Sequence, residues 1–242
     1  MSLTTRLMPY DVFERHRVTS QLLQEVIGTQ KTNVRVLDVG GRVELLAQFL
    51  PYQVISINTD PTGHLMGSGL SLPFAAHTFD AVVNIDTLEH LSAANRLPFL
   101  QECVRVARRY VVIAAPFGSE GHIAYEKQLD QLYQSIHGRP HPYLHEHVQH
   151  GLPRMLEIEN FVRVLEPAID TFQCYFAGDY VWQGQSFRRS VLAQRRPRWL
   201  ARFINLYNTI ASMALFRPIR LRTEPAPTTN RFYLLFTKNV LA

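Results

Sequence analysis

The segment VRVLDVGG at residues 34–41 is followed by SLPF (71–74), HTFDAVVNID (77–86) and TLEHL (87–91), in that order. Residues 34–39 form a short apolar run, which predicts a buried parallel strand. Gly40 and Gly41 follow it directly and predict a tight turn, where the backbone can approach a bound ligand closely. Many nucleotide-binding folds have such a strand and turn. The three later phrases are therefore needed to distinguish among these folds.

Predicted strands and helices alternate on both sides of this segment. Apolar residues at helical spacing predict a leading helix over 12–27 that ends at Gly28. Residues 43–50 and 97–108 also have a helical pattern, and Pro98 predicts a restart or kink in the second. Further strands are predicted at 53–58, 64–70, 79–85, 109–115, 175–182 and 231–238. This alternation with short links predicts an α/β fold, a Rossmann-like, doubly wound sheet with helices on both faces.

Together, the glycine turn and the LPF, FD and LEH phrases resemble the class I S-adenosylmethionine (SAM)-dependent methyltransferases, in their methyltransferase type 11-like branch. The resemblance implies SAM as the cofactor and a seven-stranded, mostly parallel sheet whose last strand is antiparallel. A nicotinamide dinucleotide is the alternative cofactor. It requires Gly-x-Gly-x-x-Gly, and residues 40–45 (GGRVEL) lack the third glycine.

The resemblance implies that Asp38 begins the family's acidic-x-Gly-x-Gly-x-Gly loop. Gly40 matches its first glycine and Gly41 is an additional one, whereas Arg42 and Glu44 stand at the next two glycine positions. These two departures keep a second hypothesis open, that the chain is a methyltransferase-fold protein that binds a partner or cofactor without turnover.

Other cofactor contacts are expected where the next loops follow their strands. The family places a ribose-binding carboxylate after the second strand, where this chain has Asn58 and, two residues later, Asp60. The alternative is that residues 58–61 form only a turn. The resemblance also implies an adenine contact near Ser71 and Leu72, and cavity-lining roles for Asp86 and Thr87.

Five of the ten histidines lie in HGRPHPYLHEHVQH, residues 137–150. Methyl transfer requires a nucleophile that has lost its proton, and histidine is suited to accept a proton near neutral pH. His145 and His147, with Glu146 between them, are therefore the candidate catalytic residues. A solvated helix that packs one or two rings is the alternative. A metal site is the other functional alternative. His-x-His with a third histidine nearby is a loose pattern, and no cysteine or ordered carboxylate spacing completes a ligand set, so no metal ligands are assigned.

AAPFG at 114–118 and the histidine-rich insertion resemble methyltransferases found beside glycosyltransferases in bacterial cell-surface polysaccharide pathways. The shared pattern has Pro-Phe after the fifth strand, then Glu126, His-Pro, Glu-His and Gly-Leu-Pro at 151–153. The resemblance implies a small-molecule, glycan or lipid-linked acceptor. Residues 84–90 (NIDTLEH) lack the Asn/Asp-Pro-Pro-aromatic motif of enzymes that methylate adenine or glutamine nitrogens, which favours O-methylation.

The net charge of +5 arises from one late segment, since residues 188–222 hold nine arginines and no acidic residue. Within 195–222, helically spaced apolar residues predict a basic amphipathic helix, namely Leu200, Phe203, Ile204, Tyr207, Ile210, Ala211 and Ala214. Such a helix suits a homodimer or intramolecular contact, or the surface of an anionic membrane. Nucleic acid is an unlikely partner, because no aromatic platform accompanies the arginines.

The bulk properties fit one cytoplasmic domain, which could also lie on the inner face of the membrane. The N-terminal residues lack an apolar core of signal-peptide length, and the two cysteines have no disulfide or metal spacing. The expected organisation is a single methyltransferase domain with two insertions, a lid-like one at 117–152 and the basic helical one at 183–229.

Overall fold

The protein is described by a computed structural model that covers residues 5, 8–28, 33–211 and 219–238. Its centre is a seven-stranded sheet with the order β3-β2-β1-β4-β5-β7-β6. The strands are β1 Arg35–Val39, β2 Gln53–Asn58, β3 Leu65–Met66, β4 Phe79–Ile85, β5 Ala107–Pro116, β6 Thr171–Ala177 and β7 Arg231–Thr237. Strand β7 is antiparallel to both of its neighbours, and the other six strands are parallel to one another. The predicted fold class is confirmed.

Helices cover both faces of the sheet, as predicted. They are α1 Tyr10–Ile27, α2 Ala93–Val106, α3 Glu120–His137, α4 Pro142–His150, α5 Met155–Leu165, α6 Tyr180–Ala193 and α7 Arg198–Ala211. Helix α1 packs Leu22 and Leu23 against one face, while α2 and α5 pack Phe99 and Phe161 against the other. The central strands β1, β4 and β5 are buried on both sides, which explains their continuous apolar runs.

The predicted helix over 43–50 is wrong, because only a short 3₁₀ turn, Leu46–Gln48, forms there. Glu44 has a positive φ of 64°, a conformation that a right-handed helix cannot include. The periodicity of this segment reflects Leu46, Phe49 and Leu50, which are buried from an irregular turn.

Three further element boundaries differ from the prediction. Helix α2 begins at Ala93 and continues through Pro98 to Val106, and β5 begins at Ala107 instead of 109. Residues 180–182, predicted as strand, start helix α6, because Gly178 turns the chain with φ 79° and Asp179 caps the helix. The Asp179 Oδ1 accepts a hydrogen bond from the backbone amide of Trp182 at 2.9 Å.

The two predicted insertions are largely helical. Residues 117–152 contain α3 and α4, and residues 183–229 contain most of α6 and all of α7. Ala214 of the predicted amphipathic face lies outside the described residues. Within the described residues, no helix has both the length and the apolarity needed to cross a membrane.

Candidate functional site

The turn after β1 lies against the loop after β4. The Gly40 amide donates a hydrogen bond to the Ile57 carbonyl at 2.8 Å, and Gly40 itself has φ 83°. A Cβ at Gly40 would collide with the Thr87 hydroxyl, and one at Gly41 would collide with the Asp38 carboxylate. Both glycines are therefore required by space, although Arg42 and Glu44 depart from the glycine pattern. The side chains of those two residues are exposed.

Asp38 is the buried carboxylate of this turn. It is 2% exposed, and burial raises its pKa to about 7. Burial disfavours the charged form of an acid unless a cation or hydrogen-bond donors compensate it. The loop thus holds an acidic group that a cationic ligand would stabilise.

Asn58 and Asp60 are both used to build the next turn. The Asn58 amide donates to the Gly40 carbonyl at 3.3 Å and to the Thr62 hydroxyl at 3.1 Å. The Asp60 Oδ1 accepts the Thr62 amide at 2.9 Å as well as the Thr62 hydroxyl, and these hydrogen bonds lower the pKa of Asp60. Asn58 thereby ties the end of β2 to the glycine turn. Residues 58–61 therefore form a turn, as the alternative interpretation of the sequence proposed. Ribose binding by Asn58 or Asp60 stays a prediction.

The backbone of Leu72, expected near the adenine, is already paired. Its amide donates to Glu102 at 2.8 Å and its carbonyl accepts from Arg105 at 3.1 Å. The Ser71 amide donates to the Ser68 carbonyl at 3.2 Å. A ligand contact through the Leu72 backbone would have to replace one of these bonds.

Asp86 has a role in packing that the sequence did not indicate. It has φ 54°, and its carboxylate lies between two arginines, Arg15 of α1 at 2.6 Å and Arg231 of β7. The neighbouring Thr87 hydroxyl accepts a hydrogen bond from the Asn84 side chain at 2.7 Å. Asn84 also donates to the Val39 carbonyl at 2.7 Å, so it joins the ends of β1 and β4.

The 3₁₀ turn Leu88–His90 follows Thr87 and carries the LEH phrase. Arg96, only 1% exposed, fixes this turn to the end of helix α4. Its guanidinium donates to the Leu88 carbonyl at 2.9 Å and to the His150 carbonyl at 3.1 Å, and it pairs with Glu157 at 2.9 Å. Arg96 therefore brings the histidine-rich helix beside the loop after β4.

Helix α3 supplies a carboxylate that orients one of those histidines. The Glu126 oxygens lie 3.1 and 3.2 Å from Nδ1 of His147, and 3.5 Å separates Glu126 from Nε2 of His122. Burial alone would raise the pKa of Glu126, but the hydrogen bonds from His122 and His147 outweigh it and lower that pKa to about 2. An ionised Glu126 accepts the proton on Nδ1, so His147 keeps its lone pair on Nε2. That Nε2 is buried and has no hydrogen-bond partner among the described residues.

Two more polar groups lie beside that nitrogen. His90 stands with its ring centroid 5.2 Å from that of His147, and its Nδ1 is 2.7 Å from Glu146. Burial, together with the neighbouring His147, lowers the pKa of His90. Glu89 is 1% exposed, its Oε2 has no hydrogen-bond partner among the described residues, and burial raises its pKa to about 8. We call Glu89, His90 and His147 the LEH–His147 cluster.

Of the predicted catalytic residues, the structure brings His147 into this cluster and places Glu146 against it through His90. His145 points elsewhere, with its Nδ1 3.5 Å from Asp130 and its Nε2 3.0 Å from Gln149. Sequence reasoning assigned no functional role to Glu89 or His90, although both belong to the LEH phrase. Arg96 gave no sequence signal, because an arginine in an amphipathic helix is usually solvated.

The comparisons with known proteins agree with this geometry. Residues 37–114 match the sequence family described as "Methyltransferase domain". No curated protein matches the sequence at a significant level.

Several solved structures share the fold. A putative sarcosine dimethylglycine methyltransferase from Galdieria sulphuraria is 17% identical with a TM-score of 0.54, over 93% of this chain and 86% of that one. Phosphoethanolamine N-methyltransferase 2 from Haemonchus contortus, bound to phosphomonomethylethanolamine and S-adenosylhomocysteine, is 12% identical with a TM-score of 0.53. It is matched over 91% of this chain and 52% of its own. The [4+2]-cyclase SpnF is 15% identical with a TM-score of 0.51, over 93% of this chain and 81% of that one.

Identities this low show the fold alone, and the family match covers about a third of the chain, the part that contains β1 to β5. The chain therefore has the Rossmann-like fold of the class I SAM-dependent methyltransferases, and its residues 37–114 match a methyltransferase domain.

Proposed function

We propose that the protein is a SAM-dependent methyltransferase that methylates a hydroxyl group of a sugar, a glycan or a lipid-linked saccharide. One observation carries the proposal. The buried Nε2 of His147 has no hydrogen-bond partner among the described residues. It lies near His90 and Glu89, which belong to the turn that directly follows the Thr87–Gly40 contact. A group that can activate a hydroxyl thus lies beside the 3₁₀ turn after Thr87, and Thr87 in turn contacts Gly40.

The residues of the turn after β1 fit the cofactor. SAM carries a positive charge on its sulfur and another on its amino group. Asp38 is a carboxyl whose pKa burial raises to about 7, and a nearby positive charge would favour its ionised form. Gly40 and Gly41 leave no room for side chains of their own. When bound, SAM supplies a methyl group attached to the positively charged sulfur.

The acceptor end of the site must hold a hydroxyl and take away its proton. Glu126 fixes the ring of His147, so that Nε2 presents a lone pair. That nitrogen can accept the proton itself, or it can hold a metal ion that makes the hydroxyl more acidic. Helices α3 and α4 bring these groups to the loop after β4 and would cover the acceptor as a lid.

Cofactor binding is tested by isothermal titration with SAM and with S-adenosylhomocysteine. We expect both compounds to bind the native chain, and we expect Asp38→Ala to abolish the heat of binding. Glu159→Ala, which removes an exposed carboxylate on α5, is the matched control and should bind as the native chain does. No heat and no thermal shift at millimolar cofactor would refute the enzyme hypothesis.

Turnover is tested with labelled SAM against a panel of sugar nucleotides, glycans and primary and secondary amines. We expect His147→Ala to slow transfer to hydroxyl acceptors while the affinity for SAM stays nearly unchanged. Transfer to amines only would refute O-methylation. SAM binding without transfer to any acceptor would support the alternative of a binding protein, and the [4+2]-cyclase shows that this fold is not restricted to methyl transfer.

A further inference from the structure

The LEH–His147 cluster has the composition of a metal centre. We propose that Glu89, His90 and His147 bind one divalent transition-metal ion, and that the acceptor hydroxyl coordinates to it. The ion site stands on the geometry of these side chains, whereas the role for the acceptor rests on the proposed function.

The three side chains converge from two distant parts of the chain. One donor atom from each, a Glu89 oxygen and a ring nitrogen from each histidine, lies within 4.8 Å of the other two. An ion with bonds of about 2.1 Å holds neighbouring donors roughly 3 Å apart. Donor atoms that lie up to 4.8 Å from one another would therefore close around it. Glu89 and His90 are adjacent on one turn and His147 is on a helix, so small rotations of the side chains suffice.

Two unpartnered buried atoms point to a missing ligand. Glu89 is 99% buried, and its Oε2 has no hydrogen-bond partner among the described residues. The same holds for Nε2 of His147. Buried polar atoms are nearly always paired, because the unpaired group loses its hydration without compensation. A cation between the two atoms would satisfy both at once.

Both histidines are oriented as metal-binding histidines are. Glu126 lies 3.1 Å from Nδ1 of His147, and Glu146 lies 2.7 Å from Nδ1 of His90. In metal centres the histidine that binds through one nitrogen donates the other N–H to a carboxylate, which fixes the ring and the tautomer. Each ring therefore keeps Nε2 for the ion, and the two outer carboxylates add the negative charge that favours a cation.

The donor set selects the class of ion. Two imidazole nitrogens and one carboxylate suit Zn²⁺, Fe²⁺, Co²⁺ or Mn²⁺, while Mg²⁺ and Ca²⁺ prefer oxygen ligands alone. Three protein ligands leave at least one coordination position open, as in catalytic centres. A hydroxyl bound there loses its proton more readily, and the proton leaves to solvent water.

The experiment uses the full chain and needs no acceptor. The purified protein is dialysed against a chelator, its metal content is checked by mass spectrometry, and Zn²⁺ and Co²⁺ are titrated calorimetrically. We expect one ion per chain, and visible absorption bands from bound Co²⁺ that report nitrogen and oxygen ligands.

Glu89→Gln, His90→Gln and His147→Gln each remove one ligand, and we expect each to weaken ion binding by more than about 100-fold. Glu126→Gln, which alters only the group behind His147, should cost about 10- to 100-fold. His137→Gln, in the same histidine-rich segment but stacked on Tyr133, is the matched control and should leave ion binding unchanged. Circular dichroism shows which variants are folded, and Glu89→Gln keeps the size of the native side chain.

The outcomes separate this inference from the proposed function. No bound ion, or an ion whose affinity is unchanged in folded Glu89→Gln and His147→Gln, overturns the metal site. S-adenosylhomocysteine is titrated into the metal-free protein in parallel. If S-adenosylhomocysteine binds and no metal ion does, the proposed methyltransferase function stands without the metal. If a metal ion binds and neither SAM nor S-adenosylhomocysteine does, the metal site stands and the proposed function is refuted.

Discussion

Asp38 is predicted to contact the cofactor, and its burial has an energetic cost. The folded protein holds its carboxyl at a pKa of about 7, against the usual value of 3.8, because burial disfavours the charged form. A neutral side chain of the same shape would be less costly to bury, and a buried carboxyl with a shifted pKa is a candidate for ligand binding.

A pH series of unfolding experiments tests this cost. Between pH 4 and 7 the folded state keeps a proton that the unfolded chain has released, so the free energy of unfolding falls as pH rises through this window. The full loss, reached above pH 7, is at most about 4 kcal/mol for such a shift. We expect Asp38→Asn to be more stable than the native chain at pH 8 and the difference to shrink toward pH 4.

Chemical denaturation at pH 5, 6, 7 and 8 measures that difference. The exposed Asp170→Asn is the control and should follow the native curve. A difference in the free energy of unfolding between the native chain and Asp38→Asn that is the same at every pH would contradict a buried, protonated carboxyl at Asp38.

Glu44 stands at a glycine position of the loop and adopts φ 64°. A left-handed conformation costs a side-chain-bearing residue about 1–2 kcal/mol, and a glycine pays nothing for it. The side chain is exposed, so its removal creates no cavity. We expect Glu44→Gly to raise the stability by up to about 1 kcal/mol, a rise in melting temperature of about 2–4 °C in a domain of this size.

Glu44→Ala is the matched variant, because alanine loses the charge but keeps the Cβ that causes the strain. Differential scanning calorimetry compares the three proteins. Equal gains in both variants would mean that the charge, and not the backbone conformation, is responsible.

At the scale of elements, helix α7 leaves much of its apolar surface uncovered. Asn208 is buried against α6, where it donates to Ser190 at 2.9 Å. The apolar side chains that remain exposed are Trp199, Phe203, Leu206, Tyr207 and Ile210. The sequence placed Phe203, Tyr207 and Ile210 on this face. Its contact with a membrane or a second copy stays a prediction.

Nine arginines without an acidic residue in 188–222 favour an anionic lipid surface over a second basic copy, since two such faces repel each other. We expect the protein to co-sediment with phosphatidylserine-containing vesicles at low salt, with a blue shift in Trp199 fluorescence. Phe203→Asp should reduce the bound fraction, and Leu156→Asp, at an exposed leucine on α5, should not. Absence of binding, together with a dimer in size-exclusion chromatography, would assign the face to a second copy.

At the scale of the molecule, one carboxylate joins the first helix, the middle of the sheet and the last strand. Asp86 pairs with Arg15 of α1 and with Arg231 of β7, and Arg231 is 4% exposed. Burial lowers the pKa of Arg231 to about 10, so it remains charged at neutral pH and needs a partner.

Removing that partner leaves buried positive charge uncompensated, which costs about 3–5 kcal/mol. We expect Asp86→Ala to lower the melting temperature by roughly 6–20 °C in thermal denaturation. Asp11→Ala is the control, since Asp11 lies 3.6 Å from Arg15 but is largely solvated. An unchanged melting temperature would contradict this structural role, and a loss of SAM binding in the same variant would support the sequence-based assignment of Asp86 to the cofactor cavity.

The sheet was predictable because buried parallel strands leave long apolar runs, as at β1, β4 and β5. The helix predicted over 43–50 was wrong because the spacing of apolar residues indicates which side chains are buried. It does not show that a residue such as Glu44 adopts a left-handed conformation. The tight turn after β1 was predictable from Gly40 and Gly41, whose spacing is local.

The sequence by itself determined the order of strands and helices, the tight turn after β1 and the presence of a histidine-rich insertion. Only the tertiary structure decided which polar groups meet: Glu89 with His147, Arg96 with the end of α4, and Asp86 with two arginines. Periodicity encodes the burial of neighbouring residues, whereas these contacts join segments far apart in the chain. Their pairing depends on how loops pack at the edge of the sheet, and no local pattern carries that information.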